Sequence, residues 1–489
     1  MARALDRREF LGTGAVAAAA YALNGPAFAQ ATDPTTLSIA EAQRLIRSGA
    51  LSPLELVEAY LDRIGRFDDR LNAFVTVTGE RAVARARSLE AELARGGWRG
   101  PLHGIPIALK DNIDTAGVLT TAASAVYADR VPDEDAEVVT RLEAAGAVIV
   151  GKLNMHEFAY GGTSAFTHTG PVRNPWDADR IAGGSSGGSG AAVAARLCAG
   201  ALGTDTGGSV RIPAAHCGIA GLKPTYGLAS IRGIIPLSVS LDHVGPMCRT
   251  VADTALLLQA LAGYDPRGIA SIRAEVPDYA SALLRRTSSL RLGVPRTPFY
   301  DDLDPQVAQA VDRALPVLTD LTASTRDVEL PALPQARPVA VESYAYHASL
   351  LDESRELYEE STLARIEPGA EVPATEYAAA LYQLKLVRKA IAGVFDDVDL
   401  LVTPTLPILP VGIDAARESP LEATQILIRN TAPFNSYGIP AITVPCGFSR
   451  EGLPIGLQIC GRALGEVDVL ALAHAYEQAT DWHGRTPPL

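Results

Sequence analysis

Beyond its first thirty positions the sequence has no run of about eighteen uncharged apolar residues, so no further membrane-spanning helix is expected. Basic charge is also short. Lys plus Arg number 43 against 56 Asp plus Glu, a net charge of −13. Charge of that sign repels a phosphate backbone and an anionic membrane alike, which argues against a nucleic-acid partner. Cysteine is sparse: Cys198, Cys217, Cys248, Cys446 and Cys460 are five, an odd number. None forms a CxxC or a Cys/His pair at zinc spacing, and most sit beside Ala, Ile, Val or Leu, the setting of buried thiols and not of a metal site. The sequence contains no internal repeat.

What is present is a chain of 489 residues, 47% hydrophobic and 20% charged, with 43 Gly and 33 Pro. That composition is globular, and the length admits either about three ordinary domains or one large α/β core. Residues 6–12 (DRREFLG), the apolar run GAVAAAAYAL and the small-residue site Ala27-Phe28-Ala29 look like a twin-arginine export signal over residues 1–29. This predicts a bacterial protein that is periplasmic or secreted. In an oxidising compartment the odd cysteine count leaves at least one thiol unpaired.

Two capping boxes open the rest of the chain, Ser38 with Glu41 and Ser52 with Glu55, the second with Pro53 at the first helical position. Residues 79–95 read as a charged, Ala-rich helix. Residues 104–109 (GIPIAL) read as a buried strand ending at Lys110, and helix 136–145 feeds a strand at 147–150. This alternation predicts an α/β sheet. Residues 183–246 are rich in Gly, Ser and Pro but poor in charge, so they are expected to be tightly packed loops. Amphipathic helices are expected at about 305–320 and 375–394, strands at 400–403 and 441–444, and a last helix at about 465–480.

Two motifs mislead. Residues 146–152 (GAVIVGK) have the spacing of a phosphate-binding loop, but Leu153 stands where Ser or Thr would hold magnesium, and the four intervening residues form a strand whose amides belong to a sheet. Residues 184–188 (GSSGG) come close to the nucleophile elbow GxSxG. That elbow needs a hydrophobic strand before it, and residues 177–182 (DADRIA) read as a loop.

The stronger signal is three segments together: 104–112 (GIPIALKDN), 183–190 (GGSSGGSG) and 203–213 (GTDTGGSVRIP). With 221–225 (GLKPT), 242–247 (DHVGPM), Asn435, Gly438 and Pro440, they resemble the amidase signature family over most of the chain. The resemblance implies one large α/β domain over residues 30–489, with a central mixed, twisted β-sheet covered by helices on both faces. A helical insertion or lid would occupy about 265–395.

Amide hydrolysis needs a nucleophile, a base that can later protonate the departing amine, and donors for the oxyanion. Residues 205–209 (DTGGS) offer a serine behind two glycines, a backbone suited to cradling an anion. By resemblance Ser209 is the nucleophile, and the backbone amides of Thr206, Gly207, Gly208 and Ser209 form the oxyanion hole. The implied base is Lys110, working through Ser185, whose preceding peptide is cis in the family. A lysine with an ordinary pKa of about 10.4 serves near neutral pH only if burial lowers it by roughly three pH units, and the apolar run before Lys110 is the context for that. The resemblance implies neither metal nor organic cofactor. Substrate contacts are expected from Met155, Gly161, Gly162, Thr163 and Ser164 and from the helical insertion.

The expected substrate is a small, aryl or peptide-terminal amide, and a homodimer is among the allowed assemblies. The family also contains the glutamine-hydrolysing subunit of tRNA-dependent amidotransferases. Two features oppose that alternative: the export segment, and the lack in residues 367–384 (EPGAEVPATEYAAALYQL) of the Arg-rich stretch with which that subunit's pattern engages glutamine. A secreted binding protein that keeps the fold without catalysis is a further alternative, opposed by the intact Lys110, Ser185 and Ser209.

Overall fold

A computed structural model describes residues 33–334 and 338–489, so the expected export segment lies outside the described residues. Among the described residues the strands are β1 (Phe74–Val77), β2 (Pro106–Lys110), β3 (Val148–Leu153), β4 (Arg173–Asn174), β5 (Asp177–Ile181), β6 (Gly200–Asp205), β7 (Ala220–Lys223), β8 (His243–Cys248), β9 (Arg291–Val294), β10 (Ser324–Asp327), β11 (Leu400–Pro404), β12 (Ala441–Phe448) and β13 (Pro454–Gly461). Eleven of them build one mixed sheet in the order β1-β3-β2-β6-β8-β7-β12-β13-β11-β9-β10. Strands β4 and β5 pair separately as an antiparallel ribbon.

Helices cover both faces of the sheet, which is why its strands are apolar on both sides. Strand β2 shows how the alternation works. Ile107 and Leu109 face a core shared with Ile39, Ile46, Leu142 and Leu257, while Ala108 faces a second core shared with Val57, Ala82, Ala191 and Val193. Side chains alternate along a strand, so Lys110 falls on the Ala108 side. The helix Gly187–Ala194 packs on that side, directly after Ser185. Strands β2 and β6 run parallel, with Ile107 opposite Gly200 and Leu109 opposite Leu202, so Lys110 and Asp205 both lie at carboxyl ends. In open α/β sheets that end of the strands is where ligands gather.

Both capping boxes form, and the first helix stops at Gly49 with φ of 74°. Residues 146–152 do run into strand β3, so their amides are engaged in the sheet. Residues 177–181, expected as a loop, form the ribbon strand β5. The ribbon is outside the main sheet, so a nucleophile elbow is still excluded. Within 265–395, strands β9 and β10 extend the sheet edge and the helix Pro305–Leu321 packs on the core. The helices lying beyond the sheet are Val339–Ser354, Glu360–Ile366 and Ala374–Ala390. No described helix is long and apolar enough to cross a membrane.

Candidate active site

Lys110 is fully buried at the end of β2. Its Nζ donates to Ser185 Oγ at 2.7 Å, to Thr204 Oγ1 at 2.7 Å and more weakly to the Thr204 carbonyl at 3.4 Å. Burial lowers its pKa to about 7, while the charges of Asp205 and Asp242 pull the other way without prevailing. Asp111, the neighbouring carboxylate, does not pair with Lys110. It faces Lys152 at 3.5 Å and accepts from Thr121. The peptide between Gly184 and Ser185 is cis. The Ser185 carbonyl accepts from His156 N at 3.0 Å and Ser164 Oγ at 3.3 Å, which fixes the turn from below.

Ser209 is brought beside this pair by backbone: Ser186 N donates to the Ser209 carbonyl at 3.2 Å. No hydrogen bond joins the Ser209 and Ser185 hydroxyls among the described residues. Ser209 is 8% exposed, whereas Lys110 and Ser185 are fully covered, so a substrate meets Ser209 first.

The loop 205–209 is organised by Asp205. One carboxylate oxygen accepts from Gly208 N at 2.8 Å, Arg211 Nη2 at 2.9 Å and Asn435 Nδ2 at 2.8 Å; the other accepts from Val210 N at 3.1 Å and Arg211 Nε at 3.0 Å. Burial by itself raises an acid's pKa, but the Arg211 charge and hydrogen bonds, with Lys223 and Asn435, hold this carboxyl well below the usual range. The oxyanion expectation needs one correction here. The Gly208 amide is turned inward to Asp205 and is not available, which leaves Thr206, Gly207 and Ser209, whose amides have no acceptor among the described residues. Gly208 is needed for another reason: its φ is +136° and an added Cβ would stand 2.1 Å from Thr431 Oγ1.

The expected substrate residues divide. Met155 is fully buried and packs with Ala123, Ala159 and Leu237. The Thr163 hydroxyl meets His156 Nδ1 at 3.3 Å, and the Ser164 hydroxyl is held between the Ser185 carbonyl and Gly187 N, so both brace the loop. Gly161 packs on the His156 ring with no room for a side chain. Gly162 N donates to Thr424 Oγ1 at 3.2 Å.

Reading the sequence alone misses several contributors. Thr204 and Asn112 complete the lysine's surroundings, Asn112 Nδ2 donating to Thr204 Oγ1 at 3.2 Å. Asp242 accepts from Thr206 Oγ1 at 2.5 Å. Arg365 stands two residues before the stretch searched for arginine. Its Nη2 donates to the Pro420 carbonyl at 2.7 Å and to Thr424 Oγ1 at 2.9 Å, its Nε is buried without a partner, and no carboxylate pairs with it among the described residues. Asn112, Thr204 and Asp242 lie inside the quoted motifs 104–112, 203–213 and 242–247 and so carry a signal in the sequence, whereas Arg365 lies in none. Among the described residues no three His, Cys, Asp or Glu gather as a metal site.

A buried lysine with a lowered pKa is thus bonded to a serine on a cis peptide, beside a glycine-rich loop that carries Ser209. The family description Amidase fits residues 55–470, and the chain belongs to the amidase family; its enzyme activity is amide C–N hydrolysis. A glutamyl-tRNA(Gln) amidotransferase subunit from Moorella thermoacetica is 42% identical, over 93% of this chain and 98% of its own. The solved structure of the corresponding subunit from Thermotoga maritima is 32% identical with a TM-score of 0.79, covering 93% of this chain and 98% of its own. A peptide amidase solved with the competitive inhibitor chymostatin is 31% identical with a TM-score of 0.80, covering 92% and 99%.

These relatives correct one expectation and reweigh another. A periplasmic or secreted location is overturned: the matching curated proteins are subunits of a tRNA amidotransferase, which points to a cytoplasmic protein. They also favour the amidotransferase alternative over the free-standing amidase.

Proposed function

We propose that the protein releases ammonia from a small carboxamide that also carries a carboxylate, with the glutamine side chain as the substrate class, and that it works within a complex, like its amidotransferase relatives. The observation that carries the chemistry is the 2.7 Å bond from a buried, neutralisable Lys110 to Ser185. In this reading neutral Lys110 takes the Ser185 proton while Ser185 takes that of Ser209, whose hydroxyl turns toward it as substrate enters. Ser209 then attacks the amide carbon. The amides of Thr206, Gly207 and Ser209 hold the oxyanion, the relay returns the proton to the leaving nitrogen, and water releases the acid by the same route.

Arg365 supports the substrate class. Thr424, to which it is bonded, and Ile428, whose Cγ2 would stand 3.9 Å from a Cβ added at Gly207, lie one turn apart on the helix Pro420–Ile428, about 6 Å along its axis. An unpaired guanidinium at that separation suits a carboxylate held a short aliphatic chain away from the scissile amide. The chain has no basic excess to offer a tRNA backbone, so this reading leaves tRNA to the other members of the complex.

A second reading, a free-standing amidase for peptide-terminal or aryl amides, is favoured by the apolar Leu427 and Ile428 beside Gly162 and Gly207, where an amino acid's ammonium finds no acid. Ammonia release from L-glutamine and from a peptide amide separates the two. The first reading expects glutamine turnover, with Arg365→Ala raising KM at least tenfold. Turnover of the peptide amide alone favours the second, and no release from either sinks both.

A further inference from the structure

Helix Val339–Ser354 sits outside the sheet and supplies no group to the proposed relay, yet it is tied to the oxyanion loop by a continuous chain of hydrogen bonds. Glu342, in its first turn, accepts from Tyr377 OH at 3.0 Å through Oε1. Its Oε2 accepts from the Ser238 hydroxyl, from Ser240 N at 3.2 Å and from Ser240 Oγ at 3.0 Å. One carboxylate therefore clasps the turn 238–242. The same turn is closed from within by Asp242, whose Oδ2 accepts from Leu237 N and Ser238 N, both at 3.0 Å. The other oxygen of Asp242 receives the Thr206 hydroxyl at 2.5 Å. A second tie from the insertion reaches the turn as well, since Arg388 Nη2 donates to the Ser240 carbonyl at 2.7 Å.

We propose that Glu342 is a positioning residue through which the helical insertion sets the oxyanion site: Glu342 orders the turn 238–242, the turn aims Asp242, and Asp242 holds Thr206 so that its amide points at the developing oxyanion. The physical basis is that the Thr206 side chain has no other hydrogen-bonding anchor among the described residues. Its amide is one of three in the loop that remain free for an anion, and an oxyanion donor contributes in proportion to how well its direction is fixed before the reaction. A carboxylate accepting four donors from two elements is a stiff joint, because each bond is charge-assisted. Removing it frees the turn without touching Lys110, Ser185 or Ser209. This inference rests on the assignment of the Thr206, Gly207 and Ser209 amides to the oxyanion.

The test is a double-mutant cycle on the second-order rate of Ser209 labelling by a fluorophosphonate, a tetrahedral reagent that uses the same donors. Glu342→Ala and Glu342→Gln are each expected to slow labelling about tenfold. Thr206→Val is expected to slow it similarly, and the double variant no further than the slower single one. Melting temperatures are measured beside the rates, and Glu342→Gln keeps the volume should Glu342→Ala fail to fold. A phenylboronic acid, which forms a tetrahedral adduct on the serine, is expected to bind the Glu342 variants about tenfold more weakly, whereas the carboxylic acid product, bound without a full oxyanion, changes little. Labelling of both folded Glu342 variants at the wild-type rate overturns the proposal, as do effects of Glu342 and Thr206 that multiply independently. A wild-type protein that takes no label overturns the oxyanion assignment and this inference with it.

Discussion

In the proposed relay Lys110 serves as a base only because it is buried. Lowering a lysine to about 7 from its ordinary value corresponds to roughly 5 kcal/mol of differential destabilisation of the charged form. The lysine is protonated below that pKa and neutral above it. Accordingly kcat/KM for amide hydrolysis falls about tenfold per pH unit below pH 7 and levels off above it. Lys110→Ala lowers the rate by about three orders of magnitude and removes that limb; a variant that keeps the limb assigns the titration to another group. Gly208 and Gly207 make a paired prediction. Alanine at 208 meets Thr431 at 2.1 Å with φ at +136° and costs about 2 kcal/mol or more in chemical denaturation. Alanine at 207 meets its first neighbour only at 3.8 Å and leaves stability within about 0.5 kcal/mol.

Among the elements, the Asp205–Arg211 pair joins the end of β6 to the helix Arg211–Cys217 in a site with no solvent access. Removing the carboxylate strands a buried guanidinium, so Asp205→Ala destabilises the protein by roughly 3–5 kcal/mol, and denaturant titration reads that directly. Legibility in the sequence follows a similar division. Helices with capping boxes and strands with unbroken apolar runs, such as β2 and β3, are visible because local sequence dictates them. Strands β7, β8 and β13 are not: their residues include Gly221, Gly245, Pro246 and Gly461, and their extended form comes from pairing with distant partners, which local propensity does not carry. Residues 183–246, expected as packed loops, instead hold the helices Gly187–Ala194 and Arg211–Cys217 and the strands β6 and β7, the chain turning at Arg196, with φ of 60°, to enter β6 at Gly200. The triad positions are legible because they lie in continuous motifs. Arg365 and Glu342 are not, because their bonds to Thr424 and Ser238 span 59 and 104 positions of sequence and acquire meaning only when the fold closes the gap.

For the whole molecule, one eleven-stranded sheet replaces the several domains that length alone would allow. Its two covered faces enclose all five cysteines as free, buried thiols, with burial raising the pKa of Cys198, Cys446 and Cys460 to about 12. Iodoacetamide is therefore expected to modify none of them in the folded protein and all five in denaturant, as counted by intact mass; rapid native alkylation contradicts this packing. The relatives overturn the expectation of an exported setting. The central claim is that Ser209 is acylated through Ser185 by a neutral Lys110. Its most direct measurement is the mass and rate of fluorophosphonate labelling in the wild type, Ser209→Ala and Lys110→Ala. The account predicts a single adduct on Ser209, none in Ser209→Ala, and labelling slowed about a thousandfold in Lys110→Ala. An adduct that persists in Ser209→Ala, or labelling of Lys110→Ala at the wild-type rate, contradicts it.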